Sequence, residues 1–443
     1  MQRLFLLILT MFFGGLSFSQ ETVPVSGWVR NAETGEPLPY AQISVAGTTL
    51  GTVTNEEGFF RLMLPDVEAK RRSRDFGTGL PDTGSPDSLV VMYLGFRTQR
   101  VAADQFKSGL IEISMEPVAL DLREVEIIAF TPQEVLRRAF DSIPVNYGAD
   151  SLILTAFIRT QKMVNNRMAE FTEAIVEDLK TGYSICSPRA SGIGHPASGT
   201  RLQTSNIPYL FKGRVTSDTN LVNLLGEVGA NARCLGCNFV RDIAEFPYET
   251  ILDPGDQKHY LMTMKELSSP EGGKIYRIRF DQDDKTNQLL NQGEILIDAR
   301  DFAILQITYK PSYKAFDAYE KSKYNRTWFL NNQPGWIQEM PLGETTVTYS
   351  KRGGYWTLST IRQQYRVTYS QPDSRQKIVY GYKNEVVVTD VTRDPEQIRA
   401  FRGDKSVGVN QRWDQVVGEP DEAFWENYNY LPVEEELRKE LNW

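Results

Sequence analysis

Apolar side chains recur at every second position in run after run between residues 23 and 392, and the runs end at Gly, Pro, Asn or Asp. A period of two puts alternate side chains on opposite faces of a strand, so the pattern selects β-structure over helix. "GETTVTYSKRGGYWTLSTIRQQYRVTYS" reads as a long hairpin turning at Gly353–Gly354. "SLILTAFIRTQKMV" and "RMAEFTEAIVEDLK" form a second hairpin around Asn165–Asn166. "GKIYRIRFD" sets Tyr276, Ile278 and Phe280 on one face, "QGEILIDARDFAILQITYK" is two strands around Ala299–Asp301, and "NEVVVTDV" follows. A chain of 443 residues is too long for one ordinary core, so at least two domains are expected.

Helix enters in few places. "TPQEVLRRAFDSIP" has Thr131 to cap it, Pro132 in its first turn, and Val135, Leu136, Ala139, Phe140 and Ile143 on one face, with Pro144 as its stop. "DEAFWENYNYLPVEEELRKELNW" predicts one or two terminal helices, and 183–250 predicts loops and short helices.

The first residues, "MQRLFLLILTMFFGGLSFSQ", combine Arg3, an apolar run and small residues, the pattern of a secretory signal. Ser17 and Ser19 occupy the −3 and −1 positions for a cut between Ser19 and Gln20. The formal charge of −8 becomes about −9 once Arg3 is removed. "KRRSR" at 70–74 sits in a Gly-, Pro- and Ser-rich stretch and reads as a solvated loop insertion. An acidic chain with no basic stripe is a poor nucleic-acid binder. No later stretch predicts a membrane-spanning helix.

The residue inventory argues against the common catalytic constellations. The two histidines, His195 and His259, belong to neither H-x-x-E nor H-E-x-x-H, so zinc-peptidase chemistry has no ligands here. His259 is expected on a strand. There is no G-x-S-x-G elbow and no P-loop; "GIGHPA" at 192–197 opens no helix, and "DQDD" at 281–284 reads as a solvated turn. The cysteines are Cys186, Cys234 and Cys237. Cys234 and Cys237 form a C-x-x-C without a thioredoxin-like surround, so they are expected to form a local disulfide or stay free, with no redox role. No cofactor or metal is expected.

The segments "SGWV", "ETGEPLPYAQISVAGTTLGTVTNEEGFFRLMLP", Gly95 in "YLGF" and "ISMEPVALDLREVEII" resemble the carboxypeptidase-regulatory-like domain. The resemblance implies a transthyretin-like β-sandwich, an accessory module with no catalytic residues of its own. A long insertion between Pro65 and Ser88 departs from the pattern. The later segments "IPVNY", "ILTAFIRTQ", "FTEAIVEDL" and "FWENYN" resemble the uncharacterised domain that often follows this module in Gram-negative envelope proteins. Two hairpins resemble strands of the LolA-like half-barrel, whose members bind lipid or lipoprotein.

The sequence therefore predicts a mainly β protein. Its parts are a signal peptide (1–19), a β-sandwich (20–118), a linker with a short helix (119–150) and a larger antiparallel domain with a curved sheet and terminal helices (151–443). The sandwich core is expected at Val25, Val29, Ile43, Val45, Phe60, Leu62, Val91 and Ile113. Tyr276, Phe280, Tyr309, Tyr349, Trp356 and Tyr365 are expected to line or pack the large sheet, one face of which is left as a groove. The expected role is non-catalytic binding or assembly at the periplasm or outer-membrane periphery of a Gram-negative bacterium, with an envelope protein or an apolar ligand as partner. A LolA-like lipid or lipoprotein carrier and a hydrolase with an unrecognised carboxylate site are the alternatives. A fragment of a TonB-dependent receptor is disfavoured, because too few strands follow the sandwich. Amino-terminal sequencing of protein purified from the envelope is expected to begin at Gln20; an intact Met1 is the opposite result.

Overall fold

The computed structural model describes residues 22–65, 88–102, 105, 110–118, 130–180, 182–183, 209–227, 243–245, 247, 250–268, 273–286, 290–315, 336–339, 342–371, 375–401, 417, 421–426 and 428–441. Ser19, Gln20, the whole 66–87 insertion, His195 and the three cysteines lie outside them.

The first module packs two sheets face to face. Strands β1 (Thr22–Asn31), β4 (Phe59–Pro65) and β7 (Leu110–Met115) form one sheet in the order β4-β1-β7; β1 runs parallel to β7. Strands β2 (Gln42–Val45), β3 (Gly51–Val53), β5 (Ser88–Met92) and β6 (Gln99–Ala102) form the other, in the order β3-β2-β5-β6. All eight expected core residues are buried between them, joined by Leu38, Leu64, Leu89 and Met115. The turn before β4 depends on Gly58, at φ 73°, where a Cβ would stand 2.7 Å from the Val29 carbonyl oxygen.

The rest of the chain builds one open, curved sheet. Its strands are β8 (Leu152–Val164), β9 (Arg167–Lys180), β10 (Tyr209–Ser217), β11 (Tyr260–Ser268), β12 (Lys274–Gln282), β13 (Asn291–Asp298), β14 (Ile304–Pro311), β15 (Ile337–Gln338), β16 (Leu342–Arg352), β17 (Tyr355–Ser370) and β18 (Lys377–Thr392). The order is β10-β9-β8-β18-β17-β16-β14-β13-β12-β11, with β15 beside the end of β17. Every pairing is antiparallel. The hairpin turns are where the sequence places them, with Asn165 and Asn166 at φ 50° and 64° and Gly353 and Gly354 at φ 56° and 88°. One strand was not expected: β10 lies within 183–250 and pairs with β9 across a bulge between Leu210 and Lys212. Its central Gly213 weakens the strand pattern, and only the long partner β9 recruits it.

One face of this sheet is covered by helices. Helix α1 (Pro132–Asp141) starts in a capping box in which Thr131 and Glu134 satisfy each other's backbone. Its Val135, Leu136, Ala139 and Phe140 sit in a core with Ile158, Val176, Ile278, Phe280, Ile295, Val347 and Val386. Pro144 does not stop the helical path. The chain breaks at Ser142, and Pro144 occupies the first turn of a second helix, α2 (Ile143–Tyr147), where a missing N–H costs nothing. Tyr147 is buried and its hydroxyl donates to the Ile304 carbonyl at 2.9 Å. The expected groove on this face is filled. Tyr276, Phe280 and Tyr349 are buried in that core, Tyr309 and Trp356 pack on its margin, and Tyr365 bonds Thr345 through its hydroxyl at 2.7 Å. The linker helix supplies the apolar surface that a ligand would otherwise have provided. His259 is likewise not on a strand: it ends a 3-10 turn, Gln257–His259, just before β11.

The opposite face carries the sandwich and the end of the chain. Helices α3 (Thr219–Glu227) and α4 (Pro395–Ala400) lie at the periphery, and α5 (Glu422–Glu426) and α6 (Glu435–Leu441) flank a segment lying against β8 and β9. Under that segment runs a row of charge. Arg214, Glu173, Arg159, Glu385 and Arg362 stand directly opposite one another on five adjacent strands, β10-β9-β8-β18-β17. Arg159 is 0% exposed. It meets Glu173 at 2.7 Å, faces Glu434 at 3.6 Å and Glu385 at 3.9 Å, and donates to the Leu431 carbonyl. Burial opposes its charge, but the three carboxylates more than offset that and raise its pKa. Arg214 closes the other side of Glu173 at 2.5 Å. Replacing Arg159 by Met is expected to cost about 3–5 kcal/mol in urea unfolding, because buried Glu385 and Glu434 lose the guanidinium between them and, of the described cations, only Lys383, 3.8 Å from Glu385, is left to answer their charge; a loss under 1 kcal/mol would contradict this account of the row.

Candidate functional site

Where β17 joins the row, the sandwich intervenes. Glu385 does not pair with Arg362; the Tyr40 hydroxyl donates to Glu385 Oε1 at 2.6 Å, and the Arg362 guanidinium lies over the Tyr40 ring at 4.1 Å. Tyr40 holds φ at 61°, a conformation that residues with a Cβ rarely adopt. The surrounding contacts maintain this strain: its N–H is fixed to the Thr54 carbonyl, and its ring and hydroxyl are fixed to the large sheet. Burial first, and then the Glu385 charge, push the Tyr40 hydroxyl well above its ordinary pKa, so it stays a donor.

Further contacts hold the modules together. Thr49 Oγ1 donates to Asp390 at 2.6 Å, Gln42 donates to the Tyr349 carbonyl at 3.4 Å, and Lys383 meets Glu56 at 2.6 Å. The terminal segment adds a second layer. Asn55 donates to the Pro432 carbonyl, Arg61 to the Tyr430 hydroxyl and the Glu426 carbonyl, and the Met63 N–H to Asn429 at 2.5 Å. Val53 of β3 packs with Phe157, Ile175, Val387, Trp425 and Leu431.

The sandwich is therefore closed down on β18 through β3 and stands away from the sheet further along. The space between is a cleft of about 1060 Å³, at the upper end of small-molecule sites. One wall is the outward face of β2 and β5 with the 93–98 turn. The other is the outward face of β14, β16 and β17 with the turn after β13. Alternation fixes which side chains face in: Val347 and Tyr349 of β16 enter the helix-covered core, so Thr348, Ser350 and Arg352 point to the sandwich.

Arg352 is the unusual member. It is 5% exposed and donates to the carbonyls of Val388 at 2.9 Å and Thr49 at 3.3 Å and to Ser350 Oγ at 3.2 Å. No carboxylate of the described residues lies within 4.0 Å of it. Burial pushes its pKa down to about 10, with the Asp390 charge opposing. Arg362 also has no carboxylate within that distance among the described residues, and its Nε is buried without a hydrogen-bond partner. Arg300, at the mouth, is paired with Asp298 at 3.0 Å. Asp301 is occupied by Trp356 Nε1 at 3.0 Å and by the Ala303 N–H.

The sequence-level candidates do not assemble here. Ser19, Gln20, Cys234 and Cys237 lie outside the described residues. His259 is half-buried at its turn, with its carbonyl accepting from the Asp283 N–H. The "DQDD" turn is held by Lys314, at 3.5 Å from Asp281 and 3.1 Å from Asp284. Among the described residues, no group of three or more His, Cys, Asp or Glu side chains could hold a metal ion, and no helix is long and apolar enough to cross a membrane. What sequence reading passes over is the charged residue beside an apolar run within a strand: Arg159 in "TAFIRTQ", Glu173 in "EFTEAIV" and Glu385 in "KNEVVV".

Residues 25–70 match the CarboxypepD_reg-like domain. Among the described residues that takes in the sandwich up to the end of β4, including Tyr40 and Gln42 of the cleft. Curated proteins provide no match. Among solved structures, a DUF1329 family protein from Desulfovibrio piger is similar at 8% identity and TM-score 0.21, covering 58% of this chain and 90% of that one. A putative membrane-associated protein of unknown function from Bacteroides fragilis is similar at 9% identity and TM-score 0.14, covering 84% and 98%.

Replacing Tyr40 by Phe removes the donor to buried Glu385 while keeping the ring under Arg362. A loss of about 1–3 kcal/mol in urea unfolding is expected; an unchanged midpoint would mean that this bond does not hold the modules together.

Proposed function

We propose that the protein is an exported, non-catalytic binding or assembly protein of a Gram-negative cell envelope, and that its binding site is the cleft between the regulatory-like sandwich and the large sheet. The observation that supports this most is that the cleft exists only because both modules contribute a wall, and that Tyr40, Gln42 and Thr49 fix its width. A regulatory-like module used in this way is a structural half of the site. The helix-filled face of the sheet weighs against an apolar carrier of the LolA-like kind, since a lipid would have to displace α1 and its buried side chains.

The test compares the mature wild-type protein, purified from the host envelope, with a Gln306→Trp variant. Gln306 is half-exposed on the cleft wall, so the indole obstructs the cleft without entering the core. Native mass spectrometry of the wild type is expected to show a bound molecule or partner that the variant lacks at unchanged thermal stability. Hydrolytic turnover of the wild type, abolished by the same substitution, would replace this reading with the hydrolase alternative.

A further inference from the structure

The chemistry of the walls narrows what the cleft can hold. Three features bear on it. The first is charge. The protein as a whole is acidic, at −8, yet Arg100, Arg352 and Arg362 line the cleft without a carboxylate of the described residues within 4.0 Å. The two acids on the lining, Asp298 and Asp301, are already engaged with Arg300 and Trp356. The second is spacing. Arg362 stands opposite Thr346, six residues along β16 from Arg352, so the two guanidiniums are rooted about 20 Å apart along the strand. The third is neutral polarity. Gln42 and Ser44 from the sandwich face Gln306, Thr348 and Ser350 from the sheet.

These features separate the possible occupants. An acyl chain would desolvate hydroxyls and amides on both walls and return no hydrogen bonds, at about 1–3 kcal/mol for each group left unpaired. An extended peptide brings as many N–H donors as carbonyl acceptors. These walls offer hydroxyls and amides that do both, so the surplus comes from the guanidiniums of Arg100 and Arg362, which only donate, and the backbone groups of the strands are spent on their ladders. The fitting ligand is elongated, rich in oxygen acceptors and negatively charged at intervals, with ring faces that can lie against Tyr93 and Phe96 at the cleft margin.

We propose that the cleft binds an acidic oligosaccharide, anchored by one anionic substituent at Arg352 and a second at Arg362. The proposal rests on the binding-protein reading above and names the ligand class of the same site. Each anchor is a guanidinium meeting a carboxylate or sulfate, the geometry in which Arg forms its strongest bonds.

The experiment is calorimetric titration of the mature protein with tetragalacturonate and with a sulfated heparin tetrasaccharide, against neutral cellotetraose and hexaglutamate. At least one acidic sugar is expected to bind tenfold or more tighter than both controls, and the two acidic probes distinguish carboxylate from sulfate. Arg362→Gln is expected to weaken that binding at least tenfold; because Arg362 also stacks on Tyr40 at the joint, the titration is run on the folded variant well below its own melting temperature. Arg352→Gln should do the same; because Arg352 is buried, exposed Arg100→Gln serves as the second variant if that protein does not fold, with an expected loss of two- to threefold. Equal binding of cellotetraose or hexaglutamate, no binding of either acidic sugar, or unaltered affinity in Arg362→Gln would each overturn the proposal. If the sugars fail while a different molecule still co-purifies with the wild type and not with Gln306→Trp, the ligand class is wrong and the cleft reading stands.

Discussion

The structure depends on one buried guanidinium. Arg159 sits in an interior strand of the large sheet, whose two neighbours place a glutamate directly on either side of it. Isolated in an apolar interior, such a group would be prohibitive, so everything laid over it must answer its charge. The terminal segment does so with the Leu431 carbonyl and Glu434. The sandwich answers the next residue in the row with the Tyr40 hydroxyl on Glu385. Apolar burial alone would let these parts slide over the sheet. A charge row permits only the placements that leave no member alone, so it fixes the docking register where hydrophobic contact would not.

The same row explains why a cleft stands where it does. At β10, β9 and β8 the charges are answered within the chain, and the terminal segment lies flat on them. At β17 the last cation, Arg362, has an aromatic face and, among the described residues, no acid within 4.0 Å. Past Tyr40 and the β3–β18 contact the sandwich leaves the sheet, and the wall formed by β14 and β16 is bridged to it by Arg352, donating to the Thr49 carbonyl, and by Gln42, donating to the Tyr349 carbonyl. Closure on one side and separation on the other follow from the alternation of side chains along β16 and β17.

Much of the architecture was legible in the sequence because it is local. The turn at Gly58, the hairpin turns at Asn165–Asn166 and Gly353–Gly354, and the capped helix at Thr131 each depend on residues within a dozen positions of one another, and the sandwich core follows from the alternation within each of its strands. The charge row could not be read in this way. Its members come from positions 159, 173, 214, 362 and 385, and only the strand order brings them together. Period-two patterning says which residues share a face of one strand. It does not say that β18 lies beside β8 or that β10 extends the edge. The aromatics of the large sheet were legible as sheet-packing residues. What covers them, α1, was legible as an amphipathic helix but not as the occupant of that face. Each candidate element of the cleft reads by itself as an ordinary solvated strand residue.

The contacts between the sandwich and the terminal segment span most of the chain. Met63 bonds Asn429, and Asn55 bonds Pro432, across 366 and 377 positions. In thermodynamic terms such distance is mild, since closing a loop grows only logarithmically more costly with length. In kinetic terms it is not, because contacts between remote segments form last. During synthesis the sandwich is complete hundreds of residues before its partners exist, and its docking face, with Tyr40 in a strained turn and Arg61 and the Met63 N–H still solvated, must persist in that state. The joint between the two modules thus acquires its final form only when residues 421–441 have been made.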